Sequence, residues 1–276
     1  MSSPAIDTDR PASDETTSIR SEPVSLPRVV RSEFIKFRSL RSSWAVLGGA
    51  VLGMLVVALI VGYNTRHLTK NLQPDDVVAS SPLQGYYLGQ LLIGALGVLF
   101  VSGEFSTGMI ASTMAAVPKR LPVLWAKLLV FTSIVLVSMT TASVIAFLLG
   151  EGVIGHFRAS YGLGDPTALR VALGTGVYLT LVGVIGGALG WIVRSTPGAL
   201  VAYFATVLVV PVLFNSVLGT WGKDVGKYLP STAGASFVSS LREPQTLTPW
   251  VGLVVLGVWA VVAVAVAAAQ LRRRDA

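Results

Sequence analysis

Residues 171–193 read VALGTGVYLTLVGVIGGALGWIV, 23 positions without a formal charge, closed by Arg170 before and Arg194 after. About 20 mostly apolar residues in a helix cross about 30 Å of hydrocarbon, so this stretch is long enough to span a bilayer. Its backbone must then be helical, because lipid offers no partner to a free N–H or C=O. Five more uncharged runs lie outward from it: 42–65, 77–103, 128–150, 195–222 and 244–271, of 24, 27, 23, 28 and 28 residues. Together the six hold 153 of the 276 residues. Charged residues make up 13% of the chain, against about a quarter in a soluble domain, and a soluble reading is excluded. A seventh gap, 105–118, has 14 residues and is too short to cross. The expectation is an all-α polytopic membrane protein with spans at about 44–63, 83–103, 127–149, 170–193, 198–220 and 249–270.

The composition also removes chemistries. There is no cysteine, so disulfides, thiolate metal sites and cysteine nucleophiles are excluded. The two histidines, His67 and His156, fall between spans. No Gly-x-x-x-x-Gly-Lys-Ser/Thr phosphate loop is present: Gly222-Lys223 precedes Asp224, and Gly226-Lys227 precedes Tyr228. No His-Glu-x-x-His or Gly-x-Ser-x-Gly motif occurs either, so the chain is expected to be no enzyme in itself. No predicted span carries a charged residue well inside it, which argues against an ion-coupled carrier. Sodium sites built from carbonyls and hydroxyls stay compatible. The net charge of +7 reads as basic flanks beside spans and not as a nucleic-acid surface.

Residues 1–27 are polar and read as a disordered tail. In the next segment Leu26, Val30, Phe34, Phe37, Leu40 and Trp44 recur at helical spacing, with Arg28, Arg31, Lys36, Arg38 and Arg41 around them. This predicts a basic amphipathic helix over 28–42 lying in the membrane interface against lipid headgroups. Ser81-Pro82, Asp165-Pro166, Thr196-Pro197 and Thr248-Pro249 read as helix starts, a capping residue followed by a proline whose missing N–H costs nothing there. The fourth and fifth spans are joined by only a few residues around 194–197, so they form an antiparallel pair. With both ends on the cytosolic side, 14 of the 21 basic residues face the cytosol; the loops alone favour the reverse, and the N-terminal flank decides.

Gln90, Ser138, Thr140, Thr141, Ser143, Thr175, Thr180 and Asn215 are the scattered polar groups of the spans, expected to satisfy neighbouring helices. Gly183, Gly186, Gly187 and Gly190 form a small-residue face for packing within the chain or for a dimer contact, and Gly85 with Gly89 read the same way. Pro211 should kink the fifth span and free the carbonyl near Val207. Between spans two and three, Phe105, Met109, Thr113 and Val117 repeat every four residues, with Ile110 and Met114 beside them. That is a short amphipathic helix, ended near Pro118 and held at the headgroups by Lys119, Arg120 and Lys127.

EFSTGMI at 104–110, VPKRLP at 117–122 and Ala126-Lys127 resemble the corresponding loop of ABC-2-type ABC transporter permeases. SEFIKFRSLRSSW at 32–44 resembles the start of actinobacterial members. The likeness covers about 28–272. It implies a type V exporter-like transmembrane domain in a bacterial plasma membrane, working as a dimer with a second copy or a paralogous permease. It also implies two separate cytosolic ABC ATPase subunits, which bind the ATP and magnesium; this chain holds no cofactor. It further implies a coupling helix at 104–117 bearing Glu104, Phe105, Gly108, Met109, Thr113, Met114 and Val117. Glu104, the one acid at that end of the second span, has two readings: a partner for a basic group of the motor or of the loop, or a solvated charge at a helix start favoured by the dipole. A second contact is implied at Arg194 and Ser195, a connecting helix at 28–42 with Arg31, Phe34, Phe37 and Arg38, and an extracellular insertion at 228–247. Because the second and fifth spans line the path in resembling exporters, Tyr86, Tyr87, Gln90, Phe204, Pro211, Phe214 and Asn215 are the path residues. The implied activity is ATP-driven export of a drug, lipid or peptide. The alternatives are a non-transporting scaffold or assembly subunit, and a secondary carrier or channel.

Overall fold

The computed structural model describes residues 25–67, 81–109, 121–154, 162–241 and 245–273. Thr113, Met114, Val117, Lys119, Arg120 and His156 lie outside them, so most of the expected 104–117 helix does too. Nine helices are found among the described residues: α1 (Leu26–Ser39), α2 (Arg41–His67), α3 (Tyr86–Ser106), α4 (Leu121–Ile154), α5 (Pro166–Val193), α6 (Thr196–Val217), α7 (Gly219–Gly226), α8 (Pro230–Val238) and α9 (Pro249–Arg273). Six of them, α2 to α6 and α9, are long and apolar enough to cross a membrane. The protein is a multi-pass helical membrane protein with the expected six spans.

The helices start and stop where local chemistry dictates. Asp165 caps α5, accepting from the N–H groups of Thr167 (2.6 Å) and Ala168 (3.2 Å). At α6 the cap lies one residue earlier than expected: Ser195 Oγ accepts from the Gly198 N–H at 3.3 Å, and Thr196 is already helical. Arg194 closes α5 in a left-handed conformation (φ 58°), so a two-residue turn reverses the chain. Beyond Ser106, Gly108 takes φ +72°, where a side chain would be strained. Glu104 and Phe105 thus belong to the last turn of α3, not to a separate short helix. The reason is that nothing in 86–106 interrupts the helix before that glycine.

α4 differs most from its expected span. It runs for 34 residues, about 51 Å at 1.5 Å per residue. It therefore takes in both charged residues that bounded the uncharged run, and Lys127 and Glu151 are buried inside the protein. Lys127 was expected at the headgroups; it lies in the protein interior because acidic partners meet it there.

α3 and α5 form the centre: 61% and 72% of their apolar windows are buried, against 17% for α6 and 22% for α9. The glycine face of α5 packs within the chain. Its partners on α3 are Gly94 and Gly97, while Gly85 meets the backbone of Met54 on α2. A Cβ on Gly97 would stand 2.2 Å from the Gly183 carbonyl oxygen, and one on Gly186 would stand 2.3 Å from that of Gly94. Only glycine lets the two backbones meet at this distance.

α6 carries Pro211 in its middle and winds wider there, with π-type turns at Ala205–Val209 and Leu213–Val217. Pro211 has no N–H for the Val207 carbonyl, and Ser231 Oγ of α8 donates to that oxygen at 3.0 Å. The expected free carbonyl is thereby satisfied from the segment that precedes the last span. Ser231→Ala should destabilise the protein by about 1–3 kcal/mol, the cost of an unsatisfied buried carbonyl. Adding Pro211→Ala should recover most of the loss, because an amide N–H at position 211 reaches the same oxygen. Denaturant unfolding in detergent micelles measures both; equal stability of Ser231→Ala and the parent would refute the bond's role.

Candidate functional site

The described starts and ends of the chain meet at one end of the bundle. Leu271 and Ala267 of α9 pack with Val101 (α3), Leu124 (α4), Ala188 and Trp191 (α5), and Val29 of α1 packs with Val123 and Ala126 of α4. At this end four charged side chains close on one another. Lys36 Nζ lies 2.7 Å from Glu33 Oε1 and 2.9 Å from Glu104 Oε1. Lys127 Nζ lies 2.8 Å from Glu33 Oε2 and 2.9 Å from Glu104 Oε1. Lys127 also donates to the Phe100 carbonyl at 3.3 Å and sits 4.3 Å above the Phe100 ring. Two carboxylates and two ammoniums give a formally neutral cluster, with Glu33, Glu104 and Lys127 buried and Lys36 half-buried. It ties α1 to the end of α3 and the start of α4.

The cost of removing such charges from water is large, and breaking one pair strands the rest. Burial alone lowers the pKa of Lys36, but hydrogen bonds and attraction from Glu33 and Glu104 outweigh it and hold the ammonium above its usual 10.5. A raised lysine contributes fully below pH 10.5 and loses that contribution only as pH climbs through the higher folded value. Lys36 therefore stays charged throughout the physiological range.

α1 folds this way because it serves two surfaces. Val29, Glu33 and Phe37, spaced by four, form its buried stripe. The expected face was Leu26, Val30, Phe34, Phe37, Leu40 and Trp44. Of these Phe37 is buried, Val30 is half-buried, and Leu26, Phe34, Leu40 and Trp44 are exposed, an apolar surface fit for lipid. Arg31 and Arg38 are exposed beside them. The break after Ser39 is stitched by Trp44, whose Nε1–H donates to the Arg38 carbonyl at 3.2 Å while its ring meets Phe37 edge-on at 5.7 Å.

The turn between α5 and α6 stands beside the end of α3. The Phe105 ring meets Trp191 edge-on at 5.5 Å, and the Arg194 guanidinium lies over Phe105 at 5.6 Å. Ser102 and Thr196 hydroxyls are 2.9 Å apart. Ser195 is exposed, and so are Gly108 and Met109. A crevice of about 330 Å3 opens beside the cluster, lined by Lys36, Leu40, Ser43, Phe100, Glu104 and Met109 among others. The described candidates for partner contact thus share one end of the bundle: α1, residues 104–109, and Arg194 with Ser195. Glu104 is paired, and its described partners are Lys36 of α1 and Lys127 of α4.

The candidate path residues divide. Gln90 is buried between α3, α5 and α6: Tyr178 O–H donates to its side-chain oxygen, and Tyr203 O–H donates to its backbone carbonyl at 2.5 Å. Pro211 is buried, whereas Phe204, Phe214 and Asn215 are half-buried on α6. Tyr86 and Tyr87 stack at 4.1 Å and line a cavity of about 450 Å3 at the other end of the bundle, with Thr232 and Ser236 of α8 and Gln84. At that far end Arg170 donates to the carbonyls of Phe237 and of Ser239 (3.0 Å), closing the C-terminus of α8. Among the described residues of the expected extracellular insertion, 228–247, there is one helix, α8, and α7 precedes it.

Sequence reading missed Glu33 and Lys127 as members of the cluster. The signal was present in Glu33: it is the one acidic residue of α1, centred between Val29 and Phe37 at helical spacing. No protein-family model matches the chain, and no curated protein is significantly similar to it. The class its fold defines is a six-span, all-α membrane protein.

Proposed function

We propose that this chain is the membrane-spanning permease subunit of an ABC-2-type exporter, driven by separate cytosolic ATPase subunits. The observation that carries the reading is the Glu33–Lys36–Glu104–Lys127 cluster. It fastens the surface helix α1 to the ends of two spans, and Phe105 joins the same end to the α5–α6 turn. A push on α1 or on the loop after Gly108 is then shared by α3, α4 and α5 as one body. Such a push does work only if the partner contacts differ between two states of the bundle. The end with the cluster faces the cytosol in this reading, where the ATPases bind ATP and magnesium. The outer cavity beside Tyr87 and α8 lies on the exit side, and the substrate is an apolar or amphipathic molecule.

The test is capture of the chain from native membranes. An ATPase bearing a phosphate loop should co-purify, and Met109→Asp with Ser195→Trp should reduce its recovery at least tenfold while leaving the chain folded. Labelling that places residues 104–109 outside the cell would overturn the proposal. So would uphill transport on added nucleotide by the chain alone in liposomes.

A further inference from the structure

The side of α1 away from the ion-pair cluster forms one wall of a second, apolar groove of about 510 Å3, and α4 forms the other. Leu26, Val30 and Phe34 line the first wall; Leu129, Val130 and Ile134 line the second. Arg31 and Ser133 supply the polar part of the lining. Residues 129–134 follow Lys127 directly and belong to the uncharged run of α4, so the groove begins at the level of the charges and continues into the apolar region. α4, at about 51 Å, is much longer than the hydrocarbon is thick, so it extends beyond it.

The charge around the groove has one sign. Glu33 is the only acid on α1, and it is buried against Lys36 and Lys127. Exposed Arg31 makes no ion pair among the described residues, and Arg38 and Arg41 are exposed on the same stretch of chain. An arginine offers a phosphate two parallel N–H donors. A zwitterionic headgroup would bring its own cation into this field; an anionic one would not. We propose that the groove is a binding site for an anionic phospholipid, with an acyl chain along 129–134 of α4 and its phosphate at Arg31. The proposal concerns the lipid alone and stands whether or not the chain works with an ATPase.

The absence of cysteine makes the test direct. Ser133→Cys gives the full chain a single attachment point for a fluorophore. The labelled protein is reconstituted in mixed phosphatidylcholine and phosphatidylglycerol vesicles, with brominated acyl chains on one lipid or the other. Brominated phosphatidylglycerol should quench about fivefold more effectively per molecule, the preference one basic residue at the surface confers. A label at Val137→Cys, further along α4 and 67% exposed, should be quenched equally by both lipids. Arg31→Gln should bring the preference at position 133 to unity, and Arg38→Gln should leave it unchanged. Equal quenching by both lipids in the parent protein would overturn the site. Loss of preference in Arg38→Gln as large as in Arg31→Gln would mean diffuse attraction and would overturn it too. Absence of quenching by either lipid would mean that protein fills the groove, and the site would fall on that result as well.

Discussion

Lys127→Met should cost the protein about 3–5 kcal/mol, the penalty for stranding buried charge. Lys127 is 2% exposed and contacts both Glu33 and Glu104, so its removal leaves two buried carboxylates sharing Lys36 alone. Methionine keeps the length of the side chain and its packing against Phe100, which isolates the charge from the volume. Adding Glu104→Gln should recover most of the loss, because the Glu33–Lys36 pair then stands as a neutral unit. Unfolding in detergent, followed by tryptophan fluorescence, measures both variants. A Lys127→Met protein within about 1 kcal/mol of the parent would show that water reaches the cluster and screens it. In the proposed exporter the double variant has a further use: it should fold yet transport poorly, since α1 no longer shares an ion with both α3 and α4.

The second large effect concerns the contact between α3 and α5. Gly186→Ala adds a single carbon, but that carbon would stand 2.3 Å from the Gly94 carbonyl oxygen. Gly97→Ala places one 2.2 Å from the Gly183 carbonyl. No rotamer relieves a Cβ, so the two backbones must separate along the most buried seam of the bundle. Each substitution should cost about 3 kcal/mol or more, the upper range for overpacking. Gly48→Ala and Gly49→Ala on α2 meet nothing within 4 Å and should be neutral or slightly stabilising. The same unfolding measurement separates the pairs. Comparable stability of Gly186→Ala and Gly48→Ala would refute the close approach.

The six spans were legible because lipid imposes a rule on composition: each crossing needs an unbroken apolar run, whatever its neighbours are. The turn at Arg194 and Ser195 was legible for a similar reason, since two spans with almost no residues between them must reverse at once. The gap opposite Pro211 followed from proline's missing N–H, and only the identity of its donor, Ser231, came from the fold. Charged residues were harder. Glu33, Lys36, Glu104 and Lys127 come from three separate segments, and each alone reads as an interfacial charge. What buries them is their proximity, which depends on how α1 crosses α4 beside the end of α3. The expected apolar face of 26–44 divides on the same ground: Phe37 meets protein, while Leu26, Phe34, Leu40 and Trp44 stay exposed. A helix that touches protein on one side and lipid on the other shows two apolar stripes, and periodicity does not say which neighbour each will meet.

By itself, then, the order of residues determined the number of crossings, the short reversal between the fourth and fifth, and the break in the fifth span. Each of these follows from a local constraint: lipid excludes charge, and proline lacks a proton. Tertiary structure decided that Gly94 and Gly97 receive the glycines of α5, that Gln90 is enclosed by two tyrosines, and that four charges from three segments become one cluster with Glu33, Glu104 and Lys127 buried. Those outcomes depend on distances between segments far apart in the chain, and helical periodicity carries no information about such distances.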